Sequence, residues 1–322
     1  MSDTISKYKL SFAGALLMTA ACIGYIAAPN TWIIVISRIV HGIGYSCCSV
    51  SISTWMSNML PDEKVGSGMG LYGTMNALGM AVAPSIGVSV YQTFGYRAAF
   101  CFAMFFSAAT AVVIQFIGDK GNPIQTIPVQ ESDRTKCLQI MDIHVLPISI
   151  IIMLFTIPYC ATQSFLVSYI SERELNVTVS LLFPLYAIVL LLLRLCMKDL
   201  FDRLPFKLFL TGSLISAFLG IVLLACMKNN FMMFFSALFM AGGYGIMCSV
   251  CQSTAILLAG KEKRGLANST YFIGLDSGMT LGPIIGGFLY GNVNITLFYP
   301  VLLITIPLTI MVYLISHRMK WL

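Results

Sequence analysis

Residues 278–287 read Gly278-Met279-Thr280-Leu281-Gly282-Pro283-Ile284-Ile285-Gly286-Gly287, and 199 residues earlier the chain reads Gly79-Met80-Ala81-Val82-Ala83-Pro84-Ser85-Ile86-Gly87-Val88. The same shift, without a gap, brings Gly44 onto Gly243, Tyr45 onto Tyr244, Gly66 onto Gly265, Tyr72 onto Tyr271 and Asp3 onto Asp202. Chance similarity among apolar residues does not line up glycines and prolines over such a length, so the register marks two structurally related halves. Parallel repeats of this kind are a feature of transporter folds.

The composition places those halves in a bilayer. Of 322 residues 58% are hydrophobic and 10% charged, with a mean hydropathy of +0.86, which is more apolar surface than a water-facing globule can bury. A helix needs about 20 mostly apolar residues to cross the hydrocarbon. Such runs lie near 10–28, 32–58, 67–90, 97–117, 147–170, 178–197, 208–226, 231–259, 266–291 and 294–316. The expectation is an all-α, polytopic helical membrane protein of about ten transmembrane helices. Lys7 and Lys9 ahead of an apolar run resemble a signal peptide, but the run reaches Ala28 and nine more follow, so it reads as a retained span. The ten cysteines are mostly scattered singly through apolar runs. Even the Cys248–Cys251 pair has no matching His or second pair, so they read as small packing residues and no metal site is expected.

Alternating the spans with the N-terminus inside puts fourteen lysines and arginines on the cytoplasmic side and only Arg97, Arg173 and Lys228 on the other. This bias satisfies the positive-inside rule for an even number of spans, with both termini cytoplasmic in the cell membrane. The net charge of +6 therefore serves orientation and attraction to anionic lipid, and no nucleic-acid partner is expected. The expected domains are an incomplete N-terminal bundle of four spans (1–118), a polar cytoplasmic linker containing Pro123 and Pro128 (119–146), and a six-helix bundle (147–322). The second half has two spans ahead of Asp202 whose partners in the first half would precede residue 1. The first half is thus expected to be a helix pair short, either because translation begins upstream of Met1 or because the gene is shortened.

At this point the residues resemble the major facilitator superfamily, whose two six-helix halves are related by pseudo-twofold symmetry. Its cytoplasmic loop motif appears as Lys198-Asp199-Leu200-Phe201-Asp202-Arg203-Leu204-Pro205-Phe206-Lys207, preceded by Arg194, with a first-half echo starting at Asp3. Lys198 and Pro205 stand where the family has glycines. The resemblance implies a gating role for Asp3, Arg194, Asp202 and Arg203, with Arg194 and Asp202 together in a cytoplasmic latch. The family's fourth-helix motif is seen as Arg38-Ile39-Val40-His41-Gly42-Ile43-Gly44. The segments at Gly79, Pro84 and Gly87 and at Gly278, Gly282, Pro283, Gly286 and Gly287 resemble the fifth-helix motif linked with antiporters. Physically, such glycines let helix backbones approach closely, and an intramembrane proline bends its helix and frees a carbonyl.

Charge inside the membrane marks the candidates for chemistry. Arg38 lies about 10 Å into its span, and helical spacing puts His41 or Gly42, Tyr45 and Ser49 on its face. Asp276 lies about 18 Å beyond Arg264, near mid-membrane. Arg38, His41 and Asp276 are therefore candidates for proton coupling or for the cavity wall. Tyr45, Tyr159, Gln163, Tyr244 and Gln252 are candidates for a substrate cavity. No catalytic constellation, cofactor motif or phosphate loop is present, so no enzyme is expected. The resemblance implies proton-coupled efflux of a small drug-like or organic molecule by a monomer in the bilayer. Nutrient uptake, or a transporter-like membrane protein without transport activity, remain the alternatives.

Overall fold

The computed structural model describes residues 5–119, 121, 141–178 and 182–319, apart from the side chains at 77, 80, 81, 84, 85, 88 and 183. Asp3, most of the 119–146 linker and the side chain of Pro84 lie outside the described residues.

Every element among them is helical, as hydrocarbon demands of a chain that must satisfy its own backbone. Helices α1 (Lys7–Ala27), α2 (Thr31–Met59) and α3 (Val65–Val113) come first. They are followed by α4 (Leu146–Glu172), α5 (Leu182–Cys196), the single turn α6 (Leu200–Arg203) and α7 (Phe206–Ala225). Helix α8 (Asn230–Met240) runs through a π-helical segment, Ala241–Gly245, into α9 (Ile246–Ala259). Helix α10 (Arg264–Asn292) and the pair α11 (Phe298–Leu302) and α12 (Thr305–Arg318) complete the chain. Eight helical stretches are long and apolar enough to cross a membrane. The other two apolar runs of the sequence are the first arm of α3 and the 15-residue α5.

Local chemistry repeats with the 199-residue register. The Asn30 side chain caps α2 by accepting from the Ile33 N–H (3.1 Å), and Asn229 caps α8 by accepting from the Met232 N–H (3.0 Å). The α1–α2 crossing is set by glycine: a Cβ on Gly44 would meet the Gly14 carbonyl oxygen at 2.7 Å and the Met18 side chain at 3.0 Å. In the second half Gly243 meets Ala217, the counterpart of Met18, at 3.0 Å.

The run expected to break into spans near 67–90 and 97–117 is one helix interrupted only at Gly95, with φ 80° and ψ 177°. That region is open essentially to glycine alone, and a side chain there costs about 1–3 kcal/mol. Gly95→Ala is therefore expected to lower the melting midpoint of the detergent-solubilised protein by several degrees; an unchanged midpoint would show the turn relaxing at another residue.

The largest buried core belongs to α4–α12 and gathers Ile148, Ile152, Tyr169, Leu190, Leu224, Met247, Tyr271 and Tyr299 among others. Its backbone is the α4–α10 crossing. Cβ atoms on Gly278 and Gly282 would meet the carbonyl oxygens of Met153 and Ile157 at 2.8 Å, and Gly286 would meet the Phe165 ring at 2.8 Å. The first-half counterparts Gly79 and Gly87 face open space. Helices α2 and α3 join the second half by packing on α5, α9 and α10.

Candidate functional site

One end of the bundle is closed by polar contacts between residues about 200 apart in sequence. Arg264, at the start of α10 and only 2% exposed, donates from Nη2 to Asp62 Oδ1 (2.5 Å) and from Nη1 to the Ser57 carbonyl. The exposed Lys261 pairs with the other oxygen of Asp62 at 3.3 Å. One turn deeper, Asn268 donates to Thr54 Oγ1 (3.2 Å) and accepts from Gln252 Nε2 (3.2 Å). Beside this latch Asp202 Oδ1 accepts from the Ser67 N–H at 2.8 Å, placing an acid at the positive N-terminus of α3. Gly66 permits it, since a Cβ there would collide with the Phe201 carbonyl.

Above the latch opens a cavity of about 720 Å³, the scale of a drug-sized ligand site. Six helices line it, and six tyrosines: Tyr45, Tyr72, Tyr159, Tyr186, Tyr244 and Tyr271. Tyr159 stacks on Tyr244 with ring centroids 4.3 Å apart and tilts against Tyr186 at 5.2 Å. Such rings offer broad apolar faces with hydroxyls at their edges, which suits an amphipathic guest. Tyr72 and Tyr271 each lie seven residues beyond Val65 and Arg264, about 10 Å into their helices. Tyr45, Met75 and Gln163 are exposed and mark where the cavity reaches the surface.

The family model of the Major Facilitator Superfamily matches residues 1–228 and 177–320, which together span nearly the whole chain. The chain belongs to the Major Facilitator Superfamily. Among solved structures, the human organic anion transporter MFSD10 superposes with a TM-score of 0.73 at 13% identity over 97% of this chain and 78% of its own. A bacterial homologue of the iron transporter ferroportin, in an outward-facing state, gives 0.72 at 14% identity over 98% of this chain and 85% of its own. These likenesses show the fold. Among curated relatives, the D-xylose transporter of Levilactobacillus brevis is 26% identical over 117 residues, 36% of this chain and 25% of its own length. The antiporter QDR3 of Candida albicans is 33% identical over 112 residues, 34% of this chain and 16% of its own. The efflux pump PmrA of Streptococcus pneumoniae is 24% identical over 135 residues, 41% of this chain and 34% of its own. The matched segments thus span between 16% and 34% of these curated relatives' length. Superfamily members are membrane transporters, and the apolar helices of this chain make it a multi-pass membrane protein of that family.

The superfamily fold brings only some of the sequence-derived candidates together. Tyr45, Tyr159, Gln163, Tyr244 and Gln252 all line the cavity. Arg194 is there too, away from the latch: it is 5% exposed and donates from Nη2 to the Gly245 carbonyl at 2.8 Å, while Asp202 holds α3 and Arg203 is exposed. The expected Arg194–Asp202 pairing is therefore replaced by Asp62 with Arg264. The reason is geometric: Arg194 sits inside α5, where burial against the π segment leaves it no path to the exposed Asp202 on α6. Arg38 and His41 do not line the cavity. Arg38 is exposed, and His41 turns toward Tyr25 of α1 with ring centroids 6.1 Å apart. Asp276 is half-buried on α10 just behind the lining residues Leu275 and Met279, and its carboxylate has no hydrogen bond or ion pair among the described residues. Pro283 has no N–H to offer the carbonyl of Met279, so the helix is loosened at the cavity wall itself. Sequence reasoning missed Tyr72, Tyr186 and Tyr271 as lining residues, although the register pairs Tyr72 with Tyr271 and Tyr45 with Tyr244.

Proposed function

We propose that this chain moves a small amphipathic organic molecule across the cell membrane by alternating access, coupled to protons and in the export direction. The observation that carries the reading is the tyrosine-lined cavity sealed at one end by the Asp62–Arg264 latch between sequence-distant segments. In this reading 1–118 and 147–322 are the two rocking bodies of a monomer and 119–146 tethers them. The latch lies at the cytoplasmic end, where Lys64, Lys261, Lys263 and Arg264 collect under the positive-inside rule. Export is supported by the antiporter-type glycine–proline segments and by the likeness to QDR3 and PmrA. The second reading is a nutrient or organic-solute transporter working in the uptake direction, and the likeness to a D-xylose transporter supports its nutrient part. Asp276, the mid-membrane carboxylate beside the cavity, is the proposed proton carrier, with Arg38 and His41 as secondary candidates.

The test is flux into or out of proteoliposomes under an imposed proton gradient, with a panel of anionic, neutral and cationic fluorescent amphiphiles. At least one member is expected to move against its own gradient, and Asp276→Asn is expected to leave downhill exchange while abolishing the dependence on the proton gradient. A protein that binds panel members yet moves none of them would be a membrane receptor or regulator, and the transport reading would be withdrawn.

A further inference from the structure

Among the described residues Arg194 is the only charged one lining the cavity, and no carboxylate among them shares the wall with it. A guanidinium carries five N–H donors, and here only Nη2 has an acceptor, the Gly245 carbonyl. Nε and Nη1 have no hydrogen-bond partner among the described residues, and neither has the hydroxyl of Ser249, which is 2% exposed. Two of these orphaned groups, Arg194 Nη1 and the Ser249 hydroxyl, converge beside Nη2. A Cβ added to Gly73 would lie 2.6 Å from Ser249 Oγ, 2.9 Å from Arg194 Nη1 and 3.1 Å from Nη2, so the close approach of α3 depends on residue 73 having no side chain. An unpaired cation this deeply buried is costly in apolar surroundings, and persists where something compensates it part of the time. The π-helical segment contributes by widening the turn that presents the Gly245 carbonyl, which holds the guanidinium in one orientation.

We infer that Arg194 and Ser249 form the recognition point for a carboxylate on the transported molecule, whose apolar body then lies among the tyrosines. The inference rests on the transporter reading of the cavity and narrows it to organic anions. A carboxylate matches the requirement because its two oxygens accept in parallel from a planar guanidinium, while a third donor is supplied by the serine. Tyr159 and Tyr244, stacked together, supply the flat surface for an aromatic body.

Binding of naphthoate and of its uncharged amide, naphthamide, to the full chain in detergent, followed by calorimetry, tests this directly. The wild-type protein is expected to hold naphthoate at least about tenfold more tightly than the amide. Arg194→Gln should bring the two to equal affinity by weakening naphthoate alone, Arg194→Lys should retain part of the preference, and Ser249→Ala should reduce it several-fold. Equal affinity of the two probes for the wild type, a preference surviving Arg194→Gln, or no binding of either probe overturns the inference. If Arg194→Gln does not fold, Ser249→Ala and Gly73→Ala, which crowds the guanidinium, carry the same comparison. The two readings fail separately: flux of uncharged panel compounds without carboxylate preference removes this inference only, whereas a carboxylate preference without flux of any compound removes the transporter reading.

Discussion

Arg264→Gln is expected to spring the closed end of the bundle. The guanidinium is 2% exposed and joins α10 to both the Ser57 carbonyl and Asp62, so glutamine removes one charge-assisted bond to a carboxylate and one to a backbone oxygen. Hydrogen bonds to charged groups contribute about 1.5–3 kcal/mol each, and Asp62 is half exposed, so solvent takes back part of the loss. About 2 kcal/mol remains, a roughly thirtyfold shift toward the conformation open at this end. Amide hydrogen exchange reads it: peptides covering 54–66 and 261–270 should exchange faster by that order, while the α4–α10 crossing keeps its protection. Protection unchanged at 54–66 would mean that Asn268 and Thr54 close the end without help from the ion pair. Lys261→Ala supplies the contrast. Its amine is 61% exposed in the pair with Asp62, so its removal should change the exchange by a factor of a few at most.

Gly282→Ala is expected to be among the most damaging single-methyl additions in the chain, and Gly79→Ala among the least. The added carbon at 282 would sit 2.8 Å from the Ile157 carbonyl oxygen and 2.8 Å from Cys160 Cβ. Neither can swing aside, because one is backbone and the other is tied to it, so the helices must part along their length. Overpacking of this kind costs about 1–3 kcal/mol, and the upper end applies where a backbone is the obstacle. At Gly79, the counterpart of Gly278 in the antiporter-like segment, nothing lies within 4 Å, and alanine gains up to about 1 kcal/mol of helix propensity. Thermal unfolding of the two variants in one detergent separates them: the 282 variant should melt well below the parent and the 79 variant at or above it. Equal losses would mean that both glycines face helices of equal proximity.

The fold was legible because two independent signals in the chain agreed: apolar run length gave the helices, and the ungapped 199-residue register gave their arrangement. The register also carries information about the site, since Tyr45 with Tyr244 and Tyr72 with Tyr271 face one cavity from opposite halves. Tyr186 has no such echo and became visible only once α5 was folded against the π segment. The misplacement of Arg194 has the same root. Its position near the end of an apolar run suggests snorkelling to the surface, but burial depends on what packs against the helix, and Gly245 and Gly73 lie 51 and 121 residues away. Arg38 shows the reverse error. Its depth in the run was legible, whereas the side of α2 on which it projects depends on where neighbouring helices sit, which periodicity alone does not fix.

The Asp62–Lys261 pair at the closed end also joins register-equivalent positions. Position 261 is the 199-residue counterpart of position 62, so Asp62 and Lys261 occupy equivalent positions of the register and meet at 3.3 Å. In an association of two identical subunits, a residue at the axis faces its own copy, and an acid would meet an acid. The attraction between Asp62 and Lys261 is open only to halves encoded separately along one polypeptide, where each can drift in sign. That contact, though exposed and weak, is one that no symmetric pair of identical subunits could form at a twofold axis.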